Sequence, residues 1–202
     1  MPRISAIVPA YNVAAYLERC LESLKAQQLE DWEAIVVDDC STDASGAIAD
    51  SFAKADSRFR VIHHSENRGL HLARKTGVEA ATGEWSFLLD GDDELAPEFL
   101  SELDHATNAT DADVFHVGIT VVGENGVTDD AARSFAAFVN RPSGVAEGAD
   151  ILLDIFDESH GQLVDWRATQ RLYRTDLLKR AFSAMTSERL ERAEDGYEGF
   201  VV

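Results

Sequence analysis

Three short polar clusters interrupt the apolar first half of the chain. They are Pro9, Ala10, Tyr11 and Asn12; the run from Asp38 and Asp39 to Ser41 and Asp43; and Asp90, Gly91, Asp92 and Asp93. The third places three carboxylates within four residues. Hard divalent cations such as Mg2+ and Mn2+ choose oxygen ligands of this kind. An acidic turn on a solvated surface has the same composition, so what precedes the cluster has to decide between the two. Near the C-terminus Glu194 and Asp195 form another acidic pair. Such a pair suits general-base chemistry or equally the solvated face of a charged helix.

The elements that must position these clusters are legible from apolar periodicity. Residues 4–8 form a short branched-apolar run that reads as a buried strand, ended by Pro9 and Asn12. Leu17, Leu21 and Leu24 recur at helical spacing over residues 13–28. A second strand is expected over 34–37, followed by a helix capped by Ser41 and Asp43 and running to about residue 55. A third strand at 60–63 leads to a helix over 69–81, stopped by Gly83. The next strand, 85–89, runs into the acidic cluster, and Pro97 suits the first turn of another helix.

Strands alternating with helices imply an α/β fold, a mainly parallel sheet with helices on both faces. Open sheets of this kind bind ligands at the carboxyl ends of their strands, where all three clusters fall. The second half is less regular. A strand or hairpin arm is expected over 113–122, turned by residues 124–126, with helices over 144–156 and 175–182. The expectation is a single domain over 1–202, with a ligand-binding half at 1–110 and a second half at 111–202.

The chain has 202 residues, 45% of them apolar, enough for a sizeable core. Its 37 acidic residues against 18 basic ones give a net charge of −19, which disfavours nucleic acid and anionic lipid as partners. Cys20 and Cys40 have no zinc-like spacing and read as reduced, which points to the cytoplasm. No segment approaches the length of a transmembrane helix. The first strand is followed by Pro-Ala-Tyr-Asn and not by G-x-G-x-x-G, which argues against a dinucleotide oxidoreductase.

Four segments, IVPAYNVAAYLERCLESL, VVDDCSTDASG, ENRGLHLARKTG and FLLDGDD, resemble in order and spacing the successive motifs of family 2 glycosyltransferases. Further on, RLYRTDLLKR resembles the segment before the acceptor region and AEDGY the late Glu-Asp motif. The resemblance implies a GT-A, Rossmann-like fold and an inverting transfer from a nucleoside diphosphate sugar. The acceptor would be a hydroxyl of a saccharide or lipid-linked glycan, in the making of a cell-surface polysaccharide. It implies Mg2+ or Mn2+ held by Asp92, with Asp90 at the metal waters or ribose, beside Gly91 and supported by Asp93. Pro9, Ala10, Tyr11 and Asn12 would bear on the nucleoside. Asp39 would accept a base N–H, favouring UDP, Gly69 would allow close backbone approach, and Arg74 would touch phosphate or base.

Two residues depart from the family pattern. Lys75 stands where an Asn usually follows the arginine, and His71 is atypical at its place, reading by default as a satisfied helix histidine. Asp195 would be the catalytic base, braced by Glu194. Family members usually continue well beyond this motif, so the second half is expected to be C-terminally incomplete, with any peripheral contact to the inner membrane face made by what is missing. A non-catalytic nucleotide-sugar-binding or scaffolding module of the same fold is the alternative, keeping the acidic cluster without a working base.

Overall fold

The computed structural model describes residues 1–122, 130–140, 144–145, 147 and 168–189. Its strands are β1 (Ile4–Ala10), β2 (Trp32–Asp38), β3 (Phe59–His63), β4 (Trp85–Leu88), β5 (Val114–His116) and β6 (Arg171–Arg174). Its α-helices are α1 (Ala14–Lys25), α2 (Ser45–Ala55), α3 (Leu70–Ala80), α4 (Phe99–Ala109), α5 (Asp130–Val139) and α6 (Thr175–Ala184). The six strands form one sheet in the order β3-β2-β1-β4-β6-β5.

β1 is buried along its whole length because it lies at the centre, with parallel neighbours on both sides. Its side chains alternate between two cores, as the period of two in a strand requires. Ala6, Val8 and Ala10 face a cluster with Leu17, Leu21 and Leu24 of α1. Ile7 faces the other way, onto Ile35, Val37, Leu88 and Ala73 of α3. Gly77 of α3 packs directly on this face: a Cβ there would come within 2.4 Å of Ile7 Cγ2. The two covered faces explain why these strands read as continuous apolar runs.

From β1 the chain moves outward through β2 to β3, then crosses back through α3 to add β4 on the opposite side of β1. The carboxyl ends of β1 and β4 therefore flank the point where strand order reverses. β1 and β4 pair only from Ile4 to Ile7, with a last bond from Leu89 N to Ile7 O. Pro9, which has no N–H to give, falls just past that point. The strands part there, and a crevice opens between them.

Beyond β4 the sheet turns antiparallel, since β6 inserts between β4 and β5. The strand expected over 113–122 is only Val114–His116, and β6 was not anticipated. Leu172 and Tyr173 are fully buried between two partly exposed arginines, a pattern four residues long that a helical reading of the following stretch obscures. Gly83 does not stop α3, which ends at Ala80 with Ala81 extended. Gly83 serves close packing instead: an added Cβ would lie 2.9 Å from Ser5 N. Most of the helix expected over 144–156, and the turn at 124–126, lie outside the described residues.

Candidate functional site

A cavity of about 690 Å3 occupies the crevice. Of the residues singled out from sequence, Pro9, Ala10 and Tyr11 line it from the end of β1, with Asp39 beyond β2. Gly69 enters at the start of α3, and Asp90, Gly91 and Asp92 follow β4. All three polar clusters thus contribute. Val13, Asn67, Leu70, Ala73 and Arg189 also line it and were not anticipated. Asn67 stands inside the Glu-Asn-Arg-Gly run and was open to inference. Arg189 carries no local signal, since it reaches the cavity only through tertiary packing.

Each wall has a local cause. Asn12 adopts φ 54°, a left-handed conformation that asparagine tolerates better than most residues. Its Oδ1 accepts the Thr42 and Asp43 amides at 2.8 and 3.3 Å, so its side chain laces two loops together and is not among the lining groups. Ser41 and Asp43, expected to cap α2, perform the same lacing. Ser41 Oγ accepts Asn12 N at 3.1 Å, and Asp43 Oδ2 accepts Ala14 N at 3.0 Å. The residue at the α2 N-cap position is Ala44, which has no side-chain cap bond, but Asp43 Oδ1 accepts the Ser45 amide at 2.8 Å and so caps the first turn as expected.

Asp38 braces this loop from below. His63 Nδ1 lies 2.9 Å from Asp38 Oδ2, and Ser41 N donates to Oδ1 at 3.1 Å. Burial works to raise the Asp38 pKa, but the bonds from Ser41 and His63 outweigh it and the net shift is downward. Asp39, 2% exposed, points inward. It accepts the Gly69 amide at 2.7 Å and the Arg68 amide at 2.9 Å, and lies 2.6 Å from His64 Nδ1. Gly69 holds φ 90°, ψ 162°, a conformation that L-residues avoid, and this turn is what aims two successive amides at one carboxylate.

Arg74 is 1% exposed and donates to Asp90 Oδ1 at 2.9 Å. It is not among the lining residues; it acts on the cavity through Asp90. Gly91 is buried, and a Cβ there would meet Pro9 O and Val13 Cγ2, each at 3.2 Å. A larger residue there would have to push Pro9 or Val13 back by a few tenths of an ångström, so glycine lets the acidic turn seat closely against the end of β1. Beneath it, the Cys20 thiol donates to the Asp90 carbonyl at 3.7 Å. Burial and then the nearby aspartate charges push that thiol far up, so it stays neutral and unreactive. Cys20 and Cys40 are not bridged, as expected.

Asp92 and Asp93 are exposed. Dense surroundings first, then the charges of Asp90 and Asp92, push the Asp93 carboxyl up to about 6. A divalent cation would relieve such a concentration of negative charge. No group of three or more acidic, histidine or cysteine side chains converges on one point among the described residues. Two carboxylates, Asp90 and Asp92, fit the mode in which Mg2+ is held by one or two carboxylates together with substrate phosphates. His71 is the satisfied helix histidine expected, with Nε2 3.1 Å from Thr186 O. Glu194 and Asp195 lie outside the described residues.

A Rossmann-like sheet with an acidic cavity at its strand-order switch belongs to the GT-A class of folds. More particularly, the chain belongs to glycosyl transferase family 2, whose sequence profile matches residues 5–180. It is 34% identical over 195 residues to the uncharacterized glycosyltransferase EpsJ of Bacillus subtilis, covering 96% of this chain and 54% of that protein. It is 37% identical over 126 residues to the succinoglycan biosynthesis protein ExoO of Rhizobium meliloti, covering 62% of this chain and 36% of that one. Among solved structures, S. aureus TarS 1-349 in complex with UDP-GlcNAc matches with a TM-score of 0.76 at 25% identity. That match covers 98% of this chain and 52% of TarS 1-349, so the chain spans about half the length of EpsJ and of that TarS structure. No described helix is long and apolar enough to cross a membrane.

Proposed function

We propose that this chain is the donor-binding and catalytic region of an inverting glycosyltransferase that takes its sugar from a nucleoside diphosphate, with UDP as the nucleotide. The acceptor is a hydroxyl of a saccharide or lipid-linked glycan, in polysaccharide synthesis at the inner face of the membrane. The observation that carries this reading is the convergence of Asp39, Gly69, Asp90 and Asp92 on one cavity at the β1–β4 switch. Family membership and the UDP-GlcNAc complex of TarS support it.

The residues divide the work. Asp39 has both oxygens engaged by protein donors, yet a carboxylate has about four lone-pair sites, so one more N–H from a base can be accepted. A uracil presents such an N–H. Tyr11, 48% exposed, offers an aromatic surface to the nucleoside. Arg74 fixes the Asp90 carboxylate, and Asp92 stands beside it at the cavity wall. These two would hold Mg2+ or Mn2+, which supplies charge neutralisation for the departing diphosphate. Asp195, braced by Glu194, takes the proton from the acceptor hydroxyl on the opposite face of the sugar, so attack inverts the anomeric carbon.

A thermal-shift screen of the chain against nucleotide sugars with Mn2+ tests the donor assignment, because a ligand that binds only the folded state raises stability by mass action. UDP-sugars are expected to raise Tm and the corresponding uridine-free sugars to leave it unchanged. No response to any nucleotide sugar would overturn the reading.

A further inference from the structure

His71 and Lys75, the two residues of α3 that break the family pattern, both turn toward the chain that follows α6. His71 Nε2 lies 3.1 Å from the Thr186 carbonyl oxygen, and its ring stacks on Phe182 with centroids 6.2 Å apart. One helical turn on, Lys75 Nζ donates to the Met185 carbonyl at 3.2 Å. Met185 itself is buried, and the Glu188 amide returns to Thr186 Oγ1 at 3.1 Å, which turns the chain back on itself. A last bond runs from Arg189 Nη1 to the Asn67 carbonyl at 3.5 Å, on the loop before α3. Residues 185–189 are thus strapped across α3 through the backbone oxygens of Met185 and Thr186, with the buried Met185 side chain and the Arg189 guanidinium adding contacts of their own.

The strap ends with Arg189 in the cavity wall. The other charged groups there are three carboxylates, Asp39, Asp90 and Asp92. A guanidinium in that company lowers the electrostatic cost of admitting an anion, and its planar fork matches phosphate oxygens. Its present bond to a neutral carbonyl is long, so exchanging it for a charge-assisted bond is favourable.

We propose that Arg189 binds the phosphates of the donor, and that His71 and Lys75 are positioning residues that dock the 185–189 strap to bring it there. This rests on the nucleotide-sugar reading above. It gives the two departures from the family pattern one shared purpose, at a site about 120 residues further along the chain.

Calorimetry on the whole chain with Mn2+, titrating UDP and uridine separately, tests it. Arg189→Ala is expected to weaken UDP about tenfold, the loss of one charge-assisted bond, and to leave uridine unchanged. Lys75→Ala should reproduce a smaller loss with the same selectivity, and Lys75→Arg should restore it; a purely structural lysine would change both ligands alike. Arg189 is exposed, so its replacement does not threaten folding. UDP affinity unchanged in Arg189→Ala overturns the proposal while wild-type UDP binding preserves the donor reading. Equal losses for UDP and uridine overturn the phosphate assignment, and failure of wild type to bind UDP overturns the donor reading itself.

Discussion

His64 Nδ1 lies 2.6 Å from Asp39 Oδ1, and the other ring nitrogen lies 2.9 Å from Thr76 Oγ1, itself bonded to the Leu72 carbonyl. A carboxylate at the cavity is thereby tied to the backbone of α3 through two side chains. Because both His64 and Asp39 are buried, the aspartate depends on this contact and on two backbone amides for its orientation. His64→Ala is expected to cost about 1–3 kcal/mol of stability, the range for a buried polar group losing its partner. It should also weaken uridine binding, because Asp39 would no longer be held for the base. Urea denaturation and calorimetry read the two effects, and full uridine affinity in a destabilised variant would separate Asp39 from base recognition.

The exposed position of Asp92 gives a cleaner separation of fold from function. Asp92→Ala removes a carboxylate from the cavity wall and no apolar contact from the core, and it relieves repulsion on Asp93, so its melting temperature without ligand should be no lower than that of wild type. Donor affinity should lose its dependence on Mn2+. Donor binding that still responds to Mn2+ as before would move the metal away from Asp92.

Much of this arrangement was legible because parallel, doubly covered strands write themselves as short apolar runs, and their polar ends mark the ligand edge. Pro9, Asp39 and Asp90 could be placed at one crevice on that logic alone. What stayed hidden depends on contacts between distant segments. Asn12, Ser41 and Asp43 have turn and cap chemistry in sequence, and Asp43 does cap the start of α2, yet their other side-chain bonds run between two loops about 30 residues apart. The family resemblance assigns Arg74 to phosphate or base, and its burial against Asp90 follows from where α3 packs. β6 was missed because a strand of four residues is too short to show a period.

Gly69 tests whether backbone geometry holds the site together. At φ 90°, ψ 162° an alanine would be strained by about 1–3 kcal/mol. The strain would be relieved by rotating the Arg68 and Gly69 amides away from Asp39. Gly69→Ala should therefore lower stability by that amount and weaken nucleoside binding together, measured by thermal melts and calorimetry. A variant as stable as wild type would show that the turn has an unstrained alternative.

Asp93 supplies a pH dependence with a definite sign. Its carboxyl titrates at about 6 in the folded chain, because of crowding and the charges of Asp90 and Asp92, against an ordinary value of 3.8. Between those values the folded state holds a proton that the unfolded state has released. Stability therefore falls as pH rises from about 4 to about 6, and the loss is complete above it. Water reaches this side chain, which trims the size of the effect but not its direction. Asp93→Asn keeps the shape and removes the charge, so it should raise Tm over wild type at pH 7.5 in EDTA. The gain should shrink through pH 5 and vanish only below the ordinary value of 3.8, where the carboxyl is protonated in both the folded and the unfolded state. A gain that is the same at every pH would mean that the substituted amide packs better for some reason other than charge. A loss at pH 7.5 would mean that the ionised Asp93 makes a stabilising contact that outweighs repulsion from Asp90 and Asp92.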